Sequence, residues 1–283
     1  MKKIFIAFLS LSLILINISV TDFTVAAATG FDVSKILYLS DNLKIGDYFT
    51  LGKYNNEPIL WRYVANDENG KLIVSDKVLC NKPFGETSFW KESFIRTWLN
   101  SSATEAEAEW SWITEYNTGI AEEDKILSTE QGFLCENNFS KNEKSVFKTI
   151  KQWTMLPEGY LDLATNENNQ LYTLLKVYRQ GSPIEPSYFE FYDISEINEA
   201  YHGAAHELID TVFLLDEMQL YLMWNNFGSI KALLADGVPS YTYNVDYILR
   251  SPYSKFSCTD VYAQKLVNTQ SRFKSGIRPA FYL

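Results

Sequence analysis

The segment Ile45–Cys80 constrains the fold most, because its apolar and polar residues alternate between residues that favour tight turns. A side-chain period of two is typical of strands that bury one face. Asn55-Asn56 and Glu68-Asn69-Gly70 separate the alternating runs, and such residues favour hairpin turns. The segment therefore predicts an antiparallel meander of three strands. The predicted β-rich runs are Tyr48–Tyr54, Ile59–Val64 and Leu72–Leu79.

Three segments between residues 93 and 153 predict helices. Ser93 stands as an N-cap before apolar residues at helical spacing. Ser102-x-x-Glu105 and Ser140-x-x-Glu143 are capping boxes, a signature of a helix start. The predicted helices lie in the segments SFIRTWLN, SATEAEAEWSWITEYN and SKNEKSVFKTIKQW. The proline-interrupted stretch 154–193 that follows predicts an irregular insertion on a compact domain.

The two histidines of the chain, His202 and His206, are four residues apart. On a helix they share one face with acidic residues, and such a row has the ligand types of a zinc site. Apolar residues gather on the opposite face, so the same row is also where an amphipathic helix meets solvent. The residue order matches no zinc-protease motif. The sequence favours a solvent-facing helix and no metal, with a metal site as the alternative at Glu199, His202, His206 and Asp210.

The C-terminal part of the chain predicts a short strand at Val212–Leu215 and then an amphipathic segment through Leu220 and Trp224. Three more β-like runs follow, at Tyr241–Arg250, Asp260–Val267 and Ile277–Leu283.

Arg250, in the stretch YILRSPYS, and Arg278, in GIRPAF, interrupt runs that are otherwise apolar. A buried guanidinium needs partners, because an unpaired charge in a core is strongly destabilising. The fork of N–H donors fits acidic side chains and backbone carbonyls of adjoining strands. Both arginines are therefore predicted to be structural clamps rather than catalytic groups.

Residues 1–28 have the layout of a secretory signal peptide. Lys2 and Lys3 precede an apolar run that ends at an Ala26-x-Ala28 cleavage pattern. A membrane anchor is the alternative, but Ser10, Ser12 and Asn17 break the apolar run. No later stretch is long and apolar enough to span a bilayer. The chain is predicted to be secreted or associated with the cell surface, without a membrane span after cleavage.

The charge balance argues against nucleic acid as a partner. The formal charge is −10, and removal of Lys2, Lys3 and Asp22 with the signal peptide makes it −11. An acidic chain repels phosphate backbones and anionic membrane surfaces.

Cys80, Cys135 and Cys258 are widely spaced along the chain. Export permits one disulfide in any of three pairings, and three free, buried thiols are equally compatible with the sequence. No C-x-x-C pair is present for zinc or redox chemistry, and no cofactor is predicted.

An ordered set of motifs resembles a known family. The chain from Ile45 to Leu283 is similar to the domain of unknown function 6273 family, found mainly in exported proteins of Gram-positive bacteria. The motifs that carry the resemblance are IGDYFTLGKY, ILWRYV, SFIRTWLN, FSKNEK, DTVFLLD, YILRSP and GIRPAFYL.

The resemblance implies a fold. That family is similar in pattern to the C-type-lectin-like fold, including its sulfatase-modifying, formylglycine-generating branch. It implies an α+β domain with small antiparallel sheets, two core helices and N- and C-terminal strands that lie side by side. The acidic helix near Glu105, the segment 154–193 and the histidine-bearing helix depart from the family pattern and are interpreted as helical insertions. The implied organisation is a signal peptide (1–28), an N-terminal lead (29–44) and one domain (45–283) with insertions near 101–132 and 154–208.

Export and this implied fold favour a non-catalytic recognition domain that binds an extracellular glycan or protein. Aromatic faces and amides are the usual groups that contact sugars and proteins. The candidate ligand-binding residues are Trp224, Asn225, Asn226, Tyr241, Tyr243 and Tyr253. The competing interpretation is that tyrosines in β-rich segments pack against their neighbours. The Glu-Pro-Asn and Trp-Asn-Asp motifs of calcium-dependent lectins are absent from the sequence.

Two other functions remain open from the sequence. A structural or adhesion subunit of a surface assembly fits the same features. A hydrolase or metal-dependent enzyme would have to recruit His202 or His206, or a pair of carboxylates. A formylglycine-generating activity would need closely spaced cysteines, which this chain lacks.

Overall fold

The computed structural model describes residues 41–105, 108–112, 126–157, 204–238, 245–262 and 264–283. The predicted signal peptide, most of the lead, Glu199, His202, Tyr241 and Tyr243 lie outside the described residues, as does much of the two predicted insertions.

The N-terminal meander is confirmed. Strands β1 (Tyr48–Tyr54), β2 (Glu57–Asp67) and β3 (Gly70–Ser75) pair antiparallel in sequence order. Asn55 and Asn56 both have positive φ, at 51° and 66°, as a type I′ hairpin turn requires. Both turns therefore lie where the turn residues predict them.

Strand β16 (Pro279–Tyr282) is antiparallel to β3, and β10 (Phe213–Leu214) is antiparallel to β16. Within the described residues these five strands form one sheet of order β1-β2-β3-β16-β10. The first and last strands thus share a sheet but are not neighbours. The expectation of side-by-side terminal strands is wrong. Because β2 pairs with both β1 and β3, the C-terminal strand β16 pairs with the remaining edge of β3 and not with β1.

Small sheets surround this one. Their strands are Lys77–Val78 (β4), Cys80–Pro83 (β5), Ala108–Trp112 (β6), Ile126–Glu130 (β7), Ile150–Met155 (β8), Ala205–Asp210 (β9), Leu233–Leu234 (β11), Tyr247–Ser254 (β12), Ser257–Tyr262 (β13), Lys265–Gln270 (β14) and Lys274–Ile277 (β15). Strands β12, β13 and β14 form a three-stranded antiparallel sheet. Strands β4 and β11 pair parallel, and the pairs β5–β15, β6–β7 and β8–β9 are antiparallel.

Three α-helices lie within the described residues: α1 (Phe94–Asn100), α2 (Lys141–Lys144) and α3 (Glu217–Phe227), with a 3₁₀ turn at Trp90–Glu92. The Ser93 cap is confirmed, since its hydroxyl accepts a hydrogen bond from the backbone N–H of Arg96. Helix α3 begins at a capping box of Asp216 and Gln219 and ends at Gly228, which has the left-handed φ of 60°.

The predicted α+β class, a C-type-lectin-like fold with two core helices, is wrong. Of the described residues, 46% lie in strands and 16% in helices, so the structure is β-rich. Strand β6 occupies part of the predicted acidic helix, and helix α2 ends at Lys144 although its predicted capping box is present. Residues 205–210, expected on the histidine-bearing helix, form strand β9.

Strands β8 and β9 show why the helical predictions failed. They pair from Ile150↔Asp210 to Met155↔Ala205, so the partners are fifty to sixty residues apart in sequence. Helix signals are local, whereas strand pairing depends on a partner that the local pattern does not contain. Ile150, Gln152 and Thr154 are buried while Lys151 is exposed, so the period of two is visible once the partner strand is known.

Aromatic side chains make up the centre of the core. Edge-to-face and tilted contacts link successive rings at centroid distances of 4.4 to 5.2 Å, in the order Trp98, Phe133, Phe139, Phe147, Phe281 and Trp61. Gly52 has a φ of +65°, and a Cβ there would lie 2.0 Å from the Phe139 ring. The close approach of β1 to this aromatic row therefore requires glycine.

Candidate functional site

The four sequence-predicted ligand-binding residues that the structure describes do not form one cluster. Trp224, Asn225 and Asn226 lie in the last turn of α3, where Asn225 and Asn226 are exposed and Trp224 is half-buried. Tyr253 is half-buried in β12. That strand contacts the first turn of α3, through Arg250 and Ser251, and not the last turn. No described contact joins Tyr253 to the last turn of α3.

The last turn of α3 instead meets the outer face of the first hairpin. The Asn226 side-chain amide donates a 2.8 Å hydrogen bond to the Val64 carbonyl in β2. The Phe227 ring covers the Arg62 guanidinium, with its centroid 3.6 Å from Cζ. The helix end is therefore fixed to β2 by one amide and one ring.

A small exposed surface forms around this junction. Tyr48 is paired with Arg62 across β1 and β2, and Thr50 is paired with Leu60, so these four residues share one face of the hairpin. The opposite face holds Ile59, Trp61 and other core residues. We call Ile45, Tyr48, Leu60, Arg62 and Phe227 the β1–β2 patch.

The patch exposes apolar surface on a rigid support. Ile45, Tyr48 and Leu60 are 45%, 49% and 38% exposed. Ile45 precedes Gly46, and a Cβ atom placed on Gly46 would lie 3.6 Å from the Phe227 ring. Because the paired strands and the helix end hold these side chains, the surface is preformed. The motif ILWRYV contained a signal for it: if Ile59, Trp61 and Tyr63 are buried, Leu60 and Arg62 must face outward.

Arg62 is the one cation of the patch. Its guanidinium also lies 5.2 Å from the Tyr48 ring centroid, so two aromatic rings lie next to it. Its side chain makes no ion pair and no hydrogen bond to any described residue. Aromatic faces stabilise a cation without using its N–H donors.

Arg250 is buried, and both of its terminal nitrogens take part in a polar network, while its Nε has no hydrogen-bond partner among the described residues. Its Nη2 forms an ion pair with Asp216, and Nη1 donates to the Leu214 carbonyl at 2.9 Å and to Gln219 Oε1 at 2.8 Å. Gln219 in turn donates to the Tyr282 hydroxyl at 3.1 Å, and that hydroxyl donates to Asp67. The network joins β12, the start of α3, the C-terminal strand and the end of β2.

The stretch YILRSPYS is continuous strand rather than a strand followed by a proline turn. Pro252 lies within β12, at an irregular register opposite Cys258. Within the part of the chain that the structure describes, β12 is an edge strand of its sheet, and edges and bulges are where proline is tolerated because it lacks an N–H donor.

Arg278 is also buried, but it has no carboxylate partner within the described residues. Its Nε donates to the Ser75 carbonyl at 2.8 Å, and Nη1 donates to the Tyr247 hydroxyl at 3.3 Å. The guanidinium also lies over the Tyr247 ring, 5.1 Å from the centroid. Backbone carbonyl, hydroxyl and ring thus take the place of an ion pair.

The described part of the histidine-bearing segment, residues 204–210, does not form the expected helix face. His206 is exposed in β9, with its ring 6.0 Å from that of Phe89. Asp210 is buried and accepts hydrogen bonds from Trp90, Arg96 and Gln152. Four residues along a strand span roughly 13 Å, so His206 and Asp210 are too far apart to share one metal ion.

The described residues contain no group of three or more histidine, cysteine, aspartate or glutamate side chains placed to hold a metal. Cys80, Cys135 and Cys258 are free thiols in the structure.

Two neighbouring aspartates, Asp246 and Asp260, lie near the start of β12. Asp260, in β13, is buried and accepts a 3.0 Å hydrogen bond from the Ser275 hydroxyl. Burial is the main cause that raises the pKa of Asp260 to about 7; the Asp246 carboxylate also raises it, whereas the Ser275 hydroxyl and nearby backbone amides lower it. Burial also raises the pKa of Asp246, which is half-buried. Asp260 is only 3% exposed, so its carboxyl group is not open to a substrate.

None of the described helices is long and apolar enough to cross a membrane. Comparison of the chain with protein-family models, with curated proteins and with solved structures found no match in any of the three. The resemblance to the domain of unknown function 6273 family stays a prediction.

Proposed function

We infer that this chain is an exported, non-catalytic recognition domain that binds a glycan at the cell exterior through the β1–β2 patch. The observation that carries the proposal is the exposed apolar face of Tyr48 and Leu60 beside the Arg62 guanidinium. Sugar rings present C–H faces and hydroxyls, which are complementary to aromatic faces and to fixed N–H donors. Export itself is the expectation from residues 1–28.

The size of the patch favours a glycan over a protein. Stable protein interfaces bury about 800 Å² on each partner, around a hydrophobic centre. The β1–β2 patch has three partly exposed apolar side chains on a two-stranded edge, an area suited to one or two sugar rings. A protein ligand, or a role as an adhesion subunit, is the competing outcome of the binding experiment.

Alanine at Tyr48 and serine at Leu60 are expected to weaken binding to isolated cell-envelope polysaccharide by roughly tenfold or more each, the loss typical of central contact residues. Both side chains are partly exposed, so the folded state should tolerate the changes. Binding is measured by co-sedimentation with purified envelope material, and folding by thermal unfolding.

Leu233→Ser and Phe256→Ser are the matched controls, since these apolar side chains are 63% and 53% exposed elsewhere on the chain. They are expected to bind as the wild type does. Equal losses in the control and patch variants would overturn the proposal. Capture of an envelope protein that soluble polysaccharide does not displace would favour the protein-binding alternative instead.

A further inference from the structure

We propose that Arg62 makes the β1–β2 patch selective for a sugar that carries a carboxylate, such as a uronic acid residue. The inference rests on the proposed function and names the ligand class for the same surface. Two observations support it: the Arg62 guanidinium lies beside exposed apolar side chains, and its N–H donors have no acceptor among the described residues.

Two aromatic rings pack against Arg62. The Phe227 centroid lies 3.6 Å and the Tyr48 centroid lies 5.2 Å from Cζ. Contact with a ring face uses none of the N–H donors of a guanidinium. The two rings therefore restrict the side chain and leave its terminal donors available for a ligand.

The donors of Arg62 have no acceptor among the described residues. Nε is buried without a hydrogen-bond partner, whereas the terminal nitrogens are not among the buried unsatisfied atoms and are reached by solvent. A carboxylate that accepts from the terminal nitrogens would form a charge-assisted pair of the kind that guanidinium geometry favours.

The other described arginines have polar partners. Arg250 pairs with Asp216, Arg96 with Asp210 and Arg272 with Glu86, and Arg278 binds a carbonyl and a hydroxyl. The chain has 35 acidic and 25 basic residues, so carboxylates are abundant. Arg62 packs against aromatic rings, has no carboxylate partner among the described residues and lies on a face with exposed apolar side chains. We therefore expect an anionic group of the ligand to supply the missing carboxylate.

The neighbouring side chains specify a sugar rather than a free anion. Tyr48 and Leu60 lie on the same face of the hairpin as Arg62. They offer apolar contact to the ring of a bound sugar while the carboxylate reaches the guanidinium. A simple carboxylate or inorganic phosphate would use only the second contact and should bind less well.

The test is calorimetric titration of the purified protein with an oligogalacturonate, a neutral oligogalactoside of the same length, sodium acetate and inorganic phosphate. The wild type is expected to prefer the uronate over the neutral sugar by roughly tenfold, the effect of one charge-assisted contact. Arg62→Gln should remove this preference, Arg62→Lys should restore part of it, and Arg272→Gln should retain it. Thermal unfolding checks that each variant is folded.

The outcomes separate this inference from the proposed function. If Tyr48→Ala loses envelope binding while Arg62→Gln binds every sugar as the wild type does, the carboxylate inference fails and the glycan-binding proposal stands. If neither variant alters any binding, both fail. A phosphate affinity that equals or exceeds that for the uronate also overturns the inference.

Discussion

Replacement of Arg250 by alanine is expected to lower the free energy of unfolding by roughly 3–5 kcal/mol, the cost of breaking a buried ion pair from one side. The variant leaves the Asp216 carboxylate buried without its cation, and it removes a donor from Gln219 and from the Leu214 carbonyl. Asp216 also caps α3, so the loss should extend to the start of that helix. Urea unfolding measures the effect.

Arg272→Ala is the matched control for this prediction. Arg272 pairs with Glu86 at 2.6 Å, but both side chains are 39% exposed. Exposed ion pairs contribute about 0–1 kcal/mol, so the control should unfold almost as the wild type does. If Arg250→Ala instead kept wild-type stability and abolished ligand binding, Arg250 would be a binding residue and not a structural clamp.

Asp260→Asn is expected to flatten the dependence of stability on pH. The pKa of Asp260 is raised to about 7 in the folded state, whereas an unfolded aspartate titrates near 3.9. Between these values the folded state keeps a proton that the unfolded state has lost, so stability falls as pH rises from about 4 to about 7. The contribution lost across this window is on the order of 4 kcal/mol.

Asparagine cannot ionise, yet it keeps an oxygen that can accept from Ser275. The variant should therefore lack this decline and be more stable than the wild type at pH 8. Urea unfolding at pH 5, 6, 7 and 8 measures both effects. Asp236→Asn, at a carboxylate 91% exposed, controls for the loss of one negative charge. A wild-type slope in Asp260→Asn would show that the carboxylate is already ionised in the folded state.

The parts of the fold that local patterns determine were predictable. The hairpin turn at Asn55-Asn56, the Ser93 cap and the strands of the meander depend on residues within a few positions of one another. The capping box at Ser140 was also correct, although the helix it begins ends after four residues. A capping box marks where a helix starts and contains no information on its length.

Long-range pairing was not predictable from the same patterns. The sequence near Ile150 does not indicate that Asp210 is its strand partner. The sequence near Arg250 does not indicate that Asp216 forms its ion pair. The apolar surroundings of Arg250 did indicate that a buried arginine would need a partner. The identity of that partner depended on the fold.

The candidate site illustrates the same limit. Outward placement of Leu60 and Arg62 follows from the alternation in β2, but the rings that hold Arg62 come from β1 and from the end of α3. Trp224, Asn225 and Asn226, which the sequence suggested as ligand-binding residues, lie at the same end of that helix as the proposed site. Of these, Asn226 binds the backbone of β2, and the neighbouring Phe227 makes the contact with the patch.

The most direct test of the glycan-binding proposal is hydroxyl-radical footprinting of the purified protein with and without envelope polysaccharide. The proposal predicts that the ligand lowers oxidation of Tyr48, Leu60 and Phe227, while oxidation of Leu233 and Phe256 stays unchanged. Protection of Leu233 or Phe256 without protection of Tyr48 would contradict it, because the ligand would then occupy a different surface of the chain.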